Sequence, residues 1–204
     1  DRKRDETSNP AEIMKFFDVK PGMQILDFLS GGGYYSEVMS YVVGDKGQVT
    51  AHTNEAYNKF VGDGITKRFG GDRLPGVKRL ITEMPALGLG KDAYDMILMV
   101  MVYHDIYYVA EYWPAVDREN FFKQVHDALK PGGTLAIIDH SALAGSDISA
   151  AQDLHRIDEA FAKADIESAG FSFQTSSDVL RNADDARTIQ VFDEAIRGKS
   201  DRFV

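Results

Sequence analysis

The 204-residue chain predicts an α/β protein in which a mostly parallel sheet is covered by helices on both faces. Three observations carry that reading. Apolar stretches of strand length alternate with amphipathic stretches of helix length from residue 10 to about 176. One stretch, "YDMILMVMV" at 94–102, is apolar almost throughout, as a strand covered on both faces must be. Three glycines at 31–33 follow the first apolar run, at the strand end where such sheets receive ligands.

Residues 1–9 are polar and are expected to fray, which places the domain at 10–204. Asn9, Pro10 and Glu12 read as N-cap, first and third residues of a helix running to about Val19. "PGMQILDFL" gives a turn and the first strand. Tyr34 to Val43 is helical, with Tyr35, Val38, Met39 and Val42 on one face. "QVTAH" is the second strand, Glu55 to Arg68 a helix, and "VKRLI" the third strand. After the fourth strand at 94–102, residues 117–129 form an amphipathic helix and "TLAIIDH" a fifth strand. "QDLHRIDEAFAKADIESAG" reads as one helix closed by Gly170, and "FSFQTS" as a sixth strand. The tail at 177–201 is polar with one further helix, and "RFV" starts a last strand.

The chain carries 23 Lys and Arg against 32 Asp and Glu, a net charge of −9, which argues against nucleic acid and anionic lipid as partners. There is no cysteine, so disulfides, thiolate metal sites and a Cys nucleophile are excluded. No apolar run approaches the length of a membrane helix. The chain opens without Met, so trimming or removal of a leader is expected and export is left open, with the cytoplasm as the default.

The glycine bend narrows the ligand. Gly31, Gly32 and Gly33 let backbone N–H groups approach a ligand with no Cβ in the way. A dinucleotide would bring a pyrophosphate to this helix start, and Asp27 on the preceding strand would repel it. S-adenosylmethionine brings a sulfonium and an ammonium, for which a carboxylate is welcome.

These segments together carry a resemblance. "ILDFLSGGG", "YDMILMVMVYHD", "ALKPGGTLAIIDHS" and "HRIDEAFAKADIESAGFSF" resemble, in order and spacing, the class I S-adenosylmethionine-dependent methyltransferases. The chain looks most like a bacterial group of predicted methyltransferases with GGGYY and YHD segments. The resemblance implies a single-domain Rossmann-like fold, a seven-stranded sheet with its last strand antiparallel, and S-adenosylmethionine as cofactor. It implies that Asp27, Leu29 and Gly31–Gly33 meet the cofactor, with Leu29 where the family usually has glycine. Thr53 or Asn54 stands where an acidic residue usually holds the ribose, with Glu55 as a substitute. Glu83 and Met84 would lie near the adenine, and Met99 to Met101 under the methionine half.

Chemistry is expected after the fourth and fifth strands, where Tyr103, His104 and Asp105 and then Asp139, His140 and Ser141 should sit on the ligand rim of the sheet. His104 is the candidate general base, with Asp105 or Asp139 orienting it. A lesser alternative is a divalent metal on Asp105, Asp139 and His140, but the spacing matches metal-dependent relatives poorly and no metal is expected. The five rings of "YHDIYYVAEYW" either line an acceptor pocket or anchor the next helix. His126 and His155 fall on helices, at the surface or core edge. The expected activity is methyl transfer to a small molecule. The rivals are a cofactor-binding module without catalysis and a nicotinamide-dependent oxidoreductase.

Overall fold

A computed structural model describes residues 2–71 and 73–204. Five parallel strands and a short antiparallel one form a single sheet, β1 (Gln24–Phe28), β2 (Gln48–Thr53), β3 (Val77–Ile81), β4 (Tyr94–Val100), β5 (Leu129–His140) and β6 (Arg202–Phe203), in the order β3-β2-β1-β4-β5-β6. Parallel neighbours need crossovers. Helix α3 (Tyr34–Val43) leads from β1 to β2, α4 (Glu55–Val61) and α5 (Asp63–Phe69) from β2 to β3, and α6 (Arg118–Ala128) from β4 to β5.

Alternation along the strands sorts two cores. Leu26, Phe28, Ile97 and Met99 pack on one face, with Phe121, Phe122 and Val125 of α6. Ile25, Met96, Leu98, Ala136 and Ile138 pack on the other, with Met39 and Val43 of α3. Fully burying such a side chain contributes about 1.5–3 kcal/mol, so the central strands hold the scaffold on which the loops sit.

The strand order reverses between β1 and β4, which pair in register from Ile25↔Met96 to Phe28↔Met99. That switch point opens a crevice beyond their carboxyl ends. The glycine bend leaves β1 on one side of it. The segment starting at Met101 leaves β4 on the other, and β5 ends beside it at Asp139 and His140.

The structure corrects several expectations. Arg2–Ser8 is a helix (α1) rather than a frayed end, held by Tyr34 OH on Asp5 Oδ1 and by Tyr35 OH on the Ser8 carbonyl; Asp1 lies outside the described residues. Asn9 precedes α2 (Pro10–Phe16), but it is left-handed (φ 40°) and makes no cap bond, because its amide donates to the Val179 carbonyl. The sheet has six strands, not seven. "FSFQTS" is irregular and largely exposed, since β5 gives its outer edge to β6, whose two residues are too short to recruit another strand. The last strand is antiparallel, as expected. The helix expected over 55–68 breaks at Gly62, which takes a φ of 59°. The one expected over 152–170 breaks at His155, giving α7 (Ser149–Leu154) and α8 (Glu159–Ser168). The tail at 177–201 holds turns and no helix.

Candidate functional site

Asp27 is the last but one residue of β1 and is 2% exposed. Its strand parity aims it at α3, where Ser36 Oγ donates to Asp27 Oδ2 at 2.5 Å. Burial pushes the carboxyl up to about 6, against the pull of Ser36 and of Arg4 on α1. A carboxylate this dry lacks a cation in direct contact, and a ligand ammonium or sulfonium would supply one.

The bend that follows divides its three glycines by task. Gly33 (φ 74°) is required by the protein itself, because a Cβ there would stand 2.3 Å from the Phe69 ring. Gly31 (φ 55°) also needs the left-handed region. Gly32 has an ordinary φ and nothing within 4 Å of where a Cβ would be, so the fold alone does not require glycine there. Ser30 Oγ beside it is buried without a partner. An open glycine, an orphaned hydroxyl and a dry carboxylate together fit the cationic methionine end of S-adenosylmethionine. Leu29 is buried and held left-handed at φ 49°, which explains why a glycine would suit that position.

The residues expected at the nucleoside end come together. Asn54, Glu83 and Met84 line one cavity of about 110 Å³ with Trp113 and Asn120. Asn54 caps α4, its Oδ1 accepting from Tyr57 N at 2.8 Å. Glu83 accepts from Glu55 N at 3.0 Å, a carboxylate at a helix start. Thr53 is buried, with its hydroxyl turned to the Asn54 carbonyl. Met99 is a fully buried core residue, and the half-buried Met101 takes a left-handed turn (φ 56°) just past the end of β4.

Across the crevice, His104 starts a short 3₁₀ turn (His104–Ile106) and is buried. Asp139 Oδ1 lies 2.8 Å from His104 Nδ1, and Asp139 Oδ2 accepts from the His104 backbone N–H at 2.7 Å. An ionised carboxylate only accepts, so the proton sits on Nδ1 and Nε2 points away from Asp139. There Asp105 Oδ1 waits at 3.3 Å. Burial opposes a charge on His104, but Asp139 and Asp105 outweigh it and raise the imidazole to about 9. Asp139 stays below its usual range, because the charge and hydrogen bond of His104 outweigh its burial. At neutral pH His104 therefore carries its proton, and it becomes a base only after losing it.

His140 does not join this group. Its Nδ1 meets Ser200 Oγ at 2.6 Å and burial lowers it to about 3, so it is a neutral core histidine. The metal set of Asp105, Asp139 and His140 is thereby corrected: Asp139 is engaged by His104 and His140 by Ser200. His155, expected on a helix surface or core edge, lies instead at a left-handed break (φ 52°), its ring 5.4 Å from that of His104. The aromatic run is mostly anchoring: Tyr103 and Tyr107 both donate to Asp165, and Trp113 Nε1 donates to the Asp105 carbonyl. Tyr57 joins the two sides, its hydroxyl held protonated by burial and by the charges of Asp105, Asp139 and Asp27.

Comparison with known proteins bears on the fold. Residues 6–59 match the model of the family described as protein-L-isoaspartate(D-aspartate) O-methyltransferase. The ubiquinone/menaquinone biosynthesis C-methyltransferase UbiE of Shewanella sediminis is 28% identical over 123 residues, 60% of this chain and 44% of that protein. The UbiE of Shewanella oneidensis is similar at 27%. The chain thus spans less than half the length of these relatives. Among solved structures, a SAM-dependent methyltransferase from Aquifex aeolicus superposes with a TM-score of 0.69 at 24% identity, over 87% of each chain. An arsenic(III) S-adenosylmethionine methyltransferase from Chlamydomonas reinhardtii does so with a TM-score of 0.58 at 17% identity, over 91% of this chain and 62% of that one. The fold is the Rossmann-like methyltransferase fold.

Proposed function

We propose that this chain transfers a methyl group from S-adenosylmethionine to a small molecule seated on the His104 side of the crevice. The observation that carries the reading is Asp27: a dry carboxylate beside an open glycine bend, at the switch point of a methyltransferase fold. When bound, the cofactor supplies a methyl group made electrophilic by its sulfonium.

The chain's own residues do the rest. Asp27 holds the cationic end and Gly32 leaves room for it. Asn54, Glu83 and Met84 wall the cavity at the nucleoside end. Asp139 fixes the His104 tautomer and turns Nε2 toward the acceptor side. His104 positions the acceptor there and, once deprotonated, takes a proton from it. Methyl transfer is chiefly a matter of placing two molecules in line, and a wall of paired, buried groups suits that task.

Titration calorimetry with S-adenosylmethionine and S-adenosylhomocysteine tests the reading. Both are expected to bind the intact chain, and Asp27→Asn is expected to weaken S-adenosylmethionine, which carries the extra charge, more than its product. Equal affinity of the variant and the parent for S-adenosylmethionine would overturn the assignment of Asp27.

A further inference from the structure

We infer that His104 Nε2, Asp105 and His155 Nδ1 form a binding site for a single divalent transition-metal ion of the zinc type, with Asp139 orienting His104 from behind. The inference stands on side-chain geometry and does not need the methyl-transfer reading: with the ion bound, His104 Nε2 is a ligand and no longer the base assigned to it above.

One donor atom from each of the three residues lies within 4.8 Å of the others. Asp105 Oδ1 stands 3.3 Å from His104 Nε2 and 3.9 Å from His155 Nδ1. Donors bound to one ion at about 2.0–2.2 Å sit roughly 3.0–3.6 Å apart, so the Asp105–His104 pair is already at ligand spacing and His155 has to move inward toward both. Each imidazole has a nitrogen outside any hydrogen bond among the described residues: His104 uses only Nδ1, so a metal would take Nε2 in exchange for its proton, and neither ring nitrogen of His155 makes one.

The surroundings have the form of a ligand shell. Asp139 on His104 Nδ1 is the carboxylate that metal-bound histidines commonly carry behind them. His155 is held by Tyr108 and Phe192, with ring centroids at 4.7 and 4.9 Å. Asp105 and Asp139 bring two buried negative charges to one place, and among the described residues no lysine or arginine pairs with either. Two imidazoles and one carboxylate select a borderline transition ion over Mg²⁺ or Ca²⁺, which prefer oxygen alone. Three protein ligands leave a coordination position open, and this one lies at the carboxyl end of β4, on the crevice.

The test is titration of the chelator-washed chain with CoCl₂ and ZnCl₂, followed by calorimetry and by the visible absorption of bound Co²⁺. Uptake of a single Co²⁺, displaced by Zn²⁺, is expected. His155→Ala should weaken it at least ~10-fold and Asp139→Asn ~10–100-fold, with unchanged circular dichroism, whereas His126→Ala should leave it alone. His155→Gln serves in place of the alanine variant should that one not fold. The site is refuted if the parent chain takes up no Co²⁺, if the His155 variants bind it as well as the parent, or if His126→Ala is the change that abolishes uptake.

Discussion

The two sides of the crevice are built on opposite plans. On the β1 side one buried carboxylate meets a bend with open space above Gly32 and an unpartnered Ser30 hydroxyl. On the β4 and β5 side the polar groups are crowded against each other, with His104 between two carboxylates and a second histidine alongside. The first side leaves a buried carboxylate without a cation in contact, as the proposed reading requires. The second already sets a histidine between its two carboxylates and presents a shaped wall. Changes on the first side should therefore register as lost affinity, and on the second as lost turnover.

The largest effect is expected from His104→Gln. Turnover should fall ~10²–10⁴-fold, the usual range for a group that handles a proton, while affinity for S-adenosylmethionine stays within about threefold. A variant that lost both equally would erase the division between the two sides. Next comes Asp27→Asn, which should weaken S-adenosylmethionine by about 2–3 kcal/mol, the scale of a charge-assisted bond. It should also raise the thermal midpoint, since it removes a carboxylate held at a cost in a dry site. Opposite signs for binding and stability would be the signature of a residue kept for its ligand.

Gly32→Ala sharpens the same point. Its Cβ would meet nothing in the protein, so stability should move by less than about 0.5 kcal/mol while cofactor affinity drops ~10-fold. Gly33→Ala is the control: the Phe69 ring and the φ of 74° should make it lose stability outright.

The smallest effect is a pH dependence of binding. The Asp27 carboxyl of the free chain loses its proton near pH 6. The groups facing it are Ser36 and Tyr35 from α3, Arg4 from α1 and Tyr57 from α4. Of these, the two tyrosines are raised above their ordinary value, so Asp27 alone titrates near neutrality. Only the ionised form attracts a cation, so affinity should rise about tenfold between about pH 5 and 7 and then level off. Calorimetry in matched buffers measures this, and Asp27→Asn should flatten the slope.

Much of the fold was legible in the amino-acid sequence. Unbroken apolar runs announced the buried parallel strands, and the glycines after Asp27 announced the bend that leaves β1 at the switch point, because both signals are local. His155 was not legible. The segment around it has helical spacing and no glycine or proline, and what breaks it is remote: Arg156 turns inward to clamp Asp185, 29 residues away, with bonds of 2.8 and 3.1 Å. One local clue existed. Asp158 caps α8 by accepting from Phe161 N at 2.7 Å, and an acidic residue three positions before a large apolar one marks a fresh helix start. Helix α1 escaped for a related reason: its polar sequence has no apolar face, and its order comes from Tyr34 and Tyr35.

The guanidinium of Arg156 has a wider consequence. It is wholly buried and spends its donors on Asp185 and on the carbonyls of Ser141 and Ile189, while Asp185 also accepts from the backbone of Asp201. A stretch of chain without helix or strand is thus riveted to the end of β5, and Phe192 rides on it as the backstop of His155. Irregularity here is not looseness: buried bonds tie the tail down, and an insertion tolerated in an ordinary surface loop should be transmitted to His155.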